Sequence, residues 1–402
     1  MRILVDCRHL NQKNQSGVGE YTIQLLRSLF ELVEKKVTEV TKATGVEKYW
    51  EFILLTTGKT KPNLLELFRE RSSSTFTFPS FVTHKHVSIS NKLLNLKLLL
   101  FKRPSITRLV PDEIDMIFMP NLNITALTTN IPTILMVHDL SWKFFPEFYS
   151  WKMRLWHVAV RPEKLIAACR AIITPSQSTK RDVERVFQKS SDDVIAIPHG
   201  VDSTFHSQIE ARDHGVRSRL KLPKRFALFV GTIEPRKNVL AIIEGMKLYR
   251  EKTRDDLPLV LVGKFGWKSH GVRRRIWRRD ACDWVRDLGY VPAKDRPAIY
   301  RSATAFVWPS IYEGFGLTVL EALACGLPVI TTHTSSLPEV TGTAAVHVDP
   351  FNAQDIADAI RGIVSSKSLQ EQLRRAGVER AKKFTWSETA KQHLIQFERP
   401  TK

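Results

Sequence analysis

The chain has little of what marks a secreted, metal-stapled or membrane-spanning protein. Its 402 residues include four cysteines, Cys7, Cys169, Cys282 and Cys325. They stand far apart, with no Cys-x-x-Cys pair and no Cys/His cluster, which excludes a zinc ribbon and a disulfide framework and fits a reducing cytoplasm. No run of about 18 apolar residues occurs, so no spanning helix is expected and the protein reads as soluble or peripheral. The start, Met1-Arg2-Ile3-Leu4-Val5-Asp6, lacks the apolar stretch of an export signal because Asp6 and Arg8 interrupt it, and it reads as a buried first strand. Acid is scarce: 41 Asp and Glu stand against 61 Lys and Arg, a formal charge of +20. Such an excess draws anionic partners without choosing between nucleic acid, anionic lipid and nucleotide diphosphates.

What is present is enough apolar residue, 43% of the chain, for two cores, and the length suggests two domains of roughly 200 residues. After the first strand comes Ser16-Gly17-Val18-Gly19, then an amphipathic stretch over residues 20–36 with Ile23, Leu26, Leu29 and Phe30 at helical spacing. Apolar runs follow at residues 52–55, 116–119, 133–137 and 171–174, the last after a helical pattern over 161–169. The second half restarts the alternation, with strands at 226–231, 257–263, 285–288, 305–309 and 328–332. Its helices begin near Asn238 and cover 296–302 and 318–325. Short strands alternating with helices indicate βαβ units and an α/β class with two doubly wound, Rossmann-like parallel sheets. Turn residues around Ile197-Pro198-His199-Gly200-Val201-Asp202 place the link within residues 193–205. The expected division is therefore 1–198 and 199–380, with 381–402 as a closing helix that packs back on the first domain. Such sheets bind ligands beyond the carboxyl ends of their strands, so a site in a cleft between two facing domains is expected.

The most informative stretch is Ile311-Tyr312-Glu313-Gly314-Phe315-Gly316-Leu317-Thr318-Val319-Leu320-Glu321-Ala322. Glycine at a helix entrance lets backbone approach a ligand, and the first helical amides are unpaired donors at the positive end of the dipole, a setting that fits a diphosphate. Glu313 and Glu321 would bracket such a ligand, one accepting hydroxyls of a transferred sugar and the other those of a ribose. The bland alternative is a glycine-capped helix with Glu321 solvated. Arg236 and Lys237 follow a strand and turn, and two fixed cations suit a diphosphate leaving group. Their bland alternative is an exposed basic pair at a helix start.

The second half, from Ala227 to about Trp386, closely resembles the retaining glycosyltransferases of family 4, whose hallmark is this Glu-x7-Glu segment. Phe229-Val230-Gly231, Glu234-Pro235-Arg236-Lys237-Asn238, Leu261-Val262-Gly263-Lys264, Gly289-Tyr290-Val291-Pro292, Trp308-Pro309-Ser310 and Leu337-Pro338-Glu339-Val340 match too. The first half fits more loosely through Gly17-Val18-Gly19-Glu20-Tyr21, Val137-His138-Asp139 and Thr174-Pro175-Ser176. The resemblance implies the GT-B fold and a hexose moved from a nucleotide diphosphate sugar to a saccharide or polyprenyl-linked acceptor, with retained anomeric configuration. It assigns catalysis to His138, Glu313, Arg236 and Lys237. It assigns donor binding to Arg236, Lys237, Tyr290, Val291, Glu313, Gly314, Phe315, Gly316, Leu317, Thr318 and Glu321, with Gly17 and Gly19 either supplying backbone donors or forming only a tight turn. Asp139 either orients His138 or caps the next segment. No Asp-x-Asp occurs, so the carboxylate pair of another glycosyltransferase fold is missing, and neither metal nor cofactor is expected.

Two basic stretches remain. Val272-Arg273-Arg274-Arg275-Ile276-Trp277-Arg278-Arg279 interleaves cations with an aromatic, a pattern of nucleic-acid binders, but no RNA- or DNA-binding signature accompanies it and a solvated helix face is the preferred reading. Residues 92–103 and 151–156 are basic and apolar, which fits either peripheral contact with an anionic membrane or packed helices with cationic edges. A binding protein without chemistry, or a phosphorylase or epimerase on the same architecture, is the competing function. Intact Glu313, Glu321, Arg236 and Lys237 argue against the first, and the lack of a pyridoxal-phosphate lysine motif argues against a phosphorylase.

Overall fold

The computed structural model describes residues 1–11, 17–44, 50–70, 76–110, 113–127, 130–277 and 281–400. Ser16 of the first glycine segment and Arg278 and Arg279 of the basic stretch lie outside the described residues. The chain forms two compact units, one of Met1–Leu140, Trp151–Gly200 and Trp386–Lys402, the other of Ser141–Ser150 and Val201–Thr385.

Among the described residues the first unit holds seven strands: β1 (Arg2–Asp6), β2 (Glu51–Thr57), β3 (Val82–Val87), β4 (Met116–Met119), β5 (Thr133–Met136), β6 (Ala171–Thr174) and β7 (Val194–Ala196). They run in the order β3-β2-β1-β4-β5-β6-β7, each pairing parallel to its neighbours. Parallel strands bonded by crossover helices are covered on both faces, which is why the inner strands are unbroken apolar runs such as Ile53-Leu54-Leu55 and Ile117-Phe118-Met119, all buried. The helix after β1 spans Gly17–Thr44, beyond the expected end near Lys36, and buries the predicted stripe Ile23, Leu26, Leu29 and Phe30. The helix Trp386–Glu398 packs on it: Tyr21 Oη donates to His393 Nε2 at 2.8 Å, and His393 Nδ1 donates to the Thr389 carbonyl at 2.7 Å.

The second unit repeats the plan with six strands: β8 (Ala227–Val230), β9 (Leu259–Val262), β10 (Val285–Asp287), β11 (Ala305–Trp308), β12 (Val329–Thr332) and β13 (Ala345–Val348). Their order is β10-β9-β8-β11-β12-β13, again all parallel. In each sheet the strand order reverses beside the first strand, between β1 and β4 and between β8 and β11, where loops diverge and open a crevice at the carboxyl ends. Behind the second crevice the loops after β8 and β9 come so close that a Cβ on Gly263 (φ +144°) would stand 1.9 Å from the Gly231 carbonyl oxygen. Only glycine fits there. Among the described residues, no helix is long and apolar enough to cross a membrane.

Candidate active site

The second unit's switch point gathers the charged residues singled out in the sequence. From β8 the chain runs through Glu234 into a single 3-10 turn, Pro235–Lys237, and from β11 it runs through Pro309 and Ser310 to Glu313. The two loops are tied by backbone: the Arg236 carbonyl accepts from Ile311 N at 3.0 Å and from Ser310 Oγ at 3.1 Å. Arg236 Nη1 in return donates to the Tyr312 carbonyl at 2.8 Å.

Glu313 sits between the two cations. Lys237 Nζ donates to Oε1 at 2.5 Å and Arg236 Nη1 to Oε2 at 2.7 Å, while Arg236 Nη2 reaches Glu234 Oε1 at 3.0 Å. Trp308 Nε1 adds a bond to Glu313 Oε1 at 3.1 Å, and its ring lies under the Lys237 ammonium at 4.7 Å. All three charged side chains are largely withdrawn from water, Arg236 at 14% and Lys237 at 11% exposure, so the exposed-pair alternative does not hold. Burial alone would push the Glu313 carboxyl up, but the charges of Arg236 and Lys237 outweigh it and hold the group at about 2. Lys237 is lowered by burial and by the like charge of Arg236, against the pull of Glu313. The arrangement is a preformed, dehydrated cluster of two cations and an ionised carboxylate.

The glycine segment closes the crevice. Gly316, at φ +109°, caps the helix Leu317–Ala324, and that helix's first-turn amides have no intrahelical partner. Leu317 and Thr318 are half-buried at its entrance, and Gly314 is buried. Phe315 is buried edge-on against Phe384 at 5.8 Å. Two serines that sequence reasoning missed fix the loop: Ser335 Oγ accepts from Glu313 N at 2.8 Å, and Ser336 Oγ bonds the carbonyls of Glu313 and Phe315, each at 2.9 Å. Trp308 and Glu234 stand in the motif segments of the sequence, but their contacts with Glu313 and Arg236 appear only in three dimensions. Glu321 is buried, not solvated, and its partners differ: Tyr300 Oη donates to Oε2 at 2.8 Å and Arg296 Nη1 lies 3.5 Å from Oε1. Val291 is buried, whereas Tyr290 is half-exposed with the Lys264 ammonium 4.9 Å over its ring.

The remaining expected residues belong to the first unit. His138 follows β5 and is half-buried; its Nε2–H donates to the Pro120 carbonyl at 2.8 Å, which leaves Nδ1 as the lone-pair nitrogen. Burial lowers its pKa to about 4 despite that bond and the nearby Asp139, so the ring is neutral at physiological pH. Gly17 and Gly19 open the helix Gly17–Thr44, Gly17 exposed and Gly19 buried. In the basic stretch, the helix His270–Ile276 turns Arg275 inward onto Glu244 at 2.6 Å and lays Arg273 over Phe265 at 4.3 Å. Two of its arginines are thus engaged by the protein itself.

Residues 212–380 match the family described as Glycosyl transferases group 1, and residues 61–205 match Glycosyltransferase Family 4. O-antigen chain mannosyltransferase B of Escherichia coli is 32% identical over 258 residues, 64% of this chain and 68% of that protein. The serotype-specific mannosyltransferase WbdA of the same organism is 29% identical over 55% of this chain, which spans only 28% of its length. Among solved structures, Anabaena HepE in complex with UDP-glucose superposes with a TM-score of 0.71 at 15% identity, covering 99% of both chains. WaaG, a glycosyltransferase involved in lipopolysaccharide biosynthesis, gives 0.69 at 14% identity over 99% of this chain and 100% of that one. Two matching family profiles that between them run from residue 61 to 380, and a relative this similar over two thirds of its length, place the chain among the family 4 glycosyltransferases.

Proposed function

We propose that the chain moves a hexose, mannose foremost, from a nucleotide diphosphate sugar such as GDP-mannose or a UDP-sugar to a saccharide or lipid-linked acceptor in surface glycan assembly, with retention of configuration. The observation that carries the proposal is the Arg236–Glu313–Lys237 cluster at a sheet switch point, one turn from the glycine-capped start of the helix Leu317–Ala324. The E. coli mannosyltransferase, as the relative of highest identity quoted above, supports the choice of sugar. In this reading the donor diphosphate lies against Arg236, Lys237 and the first helical amides, and Glu313 accepts hydroxyls of the hexose. As the bond from C1 to the phosphate oxygen breaks, charge grows on the diphosphate and the two cations stabilise it. The acceptor oxygen bonds C1 on the same face, and its proton passes to the departing phosphate oxygen. His138, neutral and holding a lone pair on Nδ1, is suited to accept a substrate hydroxyl hydrogen.

Two cations in place make a divalent ion unnecessary in this scheme. Incubating the chain with GDP-mannose, UDP-glucose and ADP-glucose and an oligomannoside acceptor, and reading the new linkage by NMR, tests it. One donor is expected to give product of unchanged anomeric configuration at the same rate with and without EDTA. Inverted product, or activity that EDTA abolishes and Mg²⁺ or Mn²⁺ restores, overturns the mechanism.

Glu321 is proposed to take the ribose hydroxyls. Glu321→Ala is expected to weaken binding of the free nucleoside diphosphate by about 10- to 100-fold, the scale of a charged hydrogen bond. Isothermal titration reads this directly, and unchanged affinity removes Glu321 from the donor site.

A further inference from the structure

The first unit carries a surface that the transfer chemistry does not use. The helix Asn91–Phe101 buries only Leu94 and Leu98; Leu93, Leu96 and Leu100, at spacings of three and four, are exposed together with Leu99 and Phe101. The helix Trp151–Val160 does the same with Trp151, Leu155 and Val158, of which Val158 is 72% exposed. These are not scattered residues. The ends of the two helices share the walls of one open groove of about 300 Å³, lined by Leu99 and Leu127 on its apolar side and by Lys102, Arg161 and Lys164 on its charged side. Lys102 and Arg161 each hold left-handed backbone at a helix junction, φ +52° in both, so both cations stand where a helix ends or begins beside the groove.

The charge around this surface is predominantly positive. Residues 91–103 contain no acid, and residues 151–168 contain Glu163 alone against Lys152, Arg154, Arg161 and Lys164. Exposed aliphatic stripes need an apolar cover, cations beside them need anions, and tryptophan at the margin favours a boundary between water and hydrocarbon. A protein partner with an acidic rim would meet the charge. It would not account for exposed aliphatic stripes on two helices that share a groove, a form suited to insertion between acyl chains.

We propose that this face docks on a bilayer rich in anionic phospholipid, with Leu100, Phe101, Trp151 and Leu155 entering the acyl boundary and lipid phosphate held by Lys102, Arg161 and Lys164. The proposal stands independently of the donor and acceptor assigned above, because none of these residues belongs to the Glu313 cluster. Its test is co-sedimentation of the full chain with vesicles of phosphatidylcholine alone and of phosphatidylcholine with 30% phosphatidylglycerol, at low and high salt. Pelleting is expected with the anionic vesicles at low salt and is expected to fall with salt. Lys102→Gln/Arg161→Gln/Lys164→Gln is expected to weaken partitioning by about a hundredfold, and Leu100→Ser/Phe101→Ser/Leu155→Ser to abolish it, while circular dichroism and thermal unfolding stay as in the parent. Equal pelleting with both vesicle types, no pelleting at low salt, or parent-like partitioning of both variants overturns the proposal. So does a chain that ignores vesicles but self-associates through this face, as read by light scattering.

Discussion

Glu313→Ala is expected to reduce turnover by about a thousandfold or more, since it removes the carboxylate proposed to hold the sugar and paired with the two cations. The same change leaves Arg236 and Lys237 largely withdrawn from water without the carboxylate they share, while the Arg236–Glu234 pair stays. Breaking a buried pair from one side costs about 3–5 kcal/mol, so loss of activity must be separated from loss of fold. Glu313→Gln separates them, because it keeps the shape and the acceptor oxygen while removing the charge. Its unfolding should also report the titration: the folded-state carboxyl lies at about 2 against an ordinary 4.5. A depressed carboxyl stabilises the fold fully above its unfolded value and loses that contribution as pH falls toward the folded one. The parent should therefore lose stability between about pH 4.5 and 2 more steeply than Glu313→Gln. Near-parental turnover in a folded Glu313→Ala protein would falsify the assignment.

Arg236→Ala and Lys237→Ala are each expected to cut kcat by about 100- to 1000-fold while donor affinity changes by less than about tenfold. The asymmetry follows from the cluster. Without donor, both cations already rest on Glu313 at 2.5 and 2.7 Å, so a ground-state diphosphate competes with a carboxylate for them. The transition state carries more negative charge on the leaving oxygens and gains more from the same pair. Pre-steady-state donor binding and single-turnover rates measured on the two variants separate the effects. Variants that merely raise KM at full turnover would show that the cations bind donor without aiding departure.

The parts of this protein that were legible in the sequence are those where one physical demand dominates. Inner strands such as Ile53-Leu54-Leu55 and Ala305-Phe306-Val307-Trp308 lie between helical layers on both faces, so they had to be continuous apolar runs. The two strands that escaped notice, β3 and β13, are both sheet edges. Val-Thr-His-Lys-His-Val in β3 is half-exposed throughout, so no hydrophobic pattern distinguishes it from a loop. The charged residues of the site were visible because glycine, arginine and glutamate stood in a motif beside strand ends. Their mutual pairing was not. Nothing in the sequence states that Lys237 and Glu313, 76 positions apart, return to within 2.5 Å of each other, and nothing marks Ser335 and Ser336 as the pins of a loop 22 and 23 residues upstream. The membrane-like stretches could be read either way from sequence, because exposure of Leu96 or Phe101 is decided by which neighbours fold against them.

The helix Trp386–Glu398 bears on how the polypeptide is made. Trp386, His393, Leu394 and Phe397 are buried in the first unit, with Phe397 5.3 Å from Phe118 of β4 and His393 bonded to Tyr21. These residues leave the ribosome after all of Val201–Thr385. Synthesis proceeds at about 5–20 residues per second and domains ordinarily fold in the order they emerge. Here the N-terminal segment must wait, with its Tyr21 and Phe118 surface uncovered, for the whole second unit to emerge. The first unit synthesised is the last to be completed.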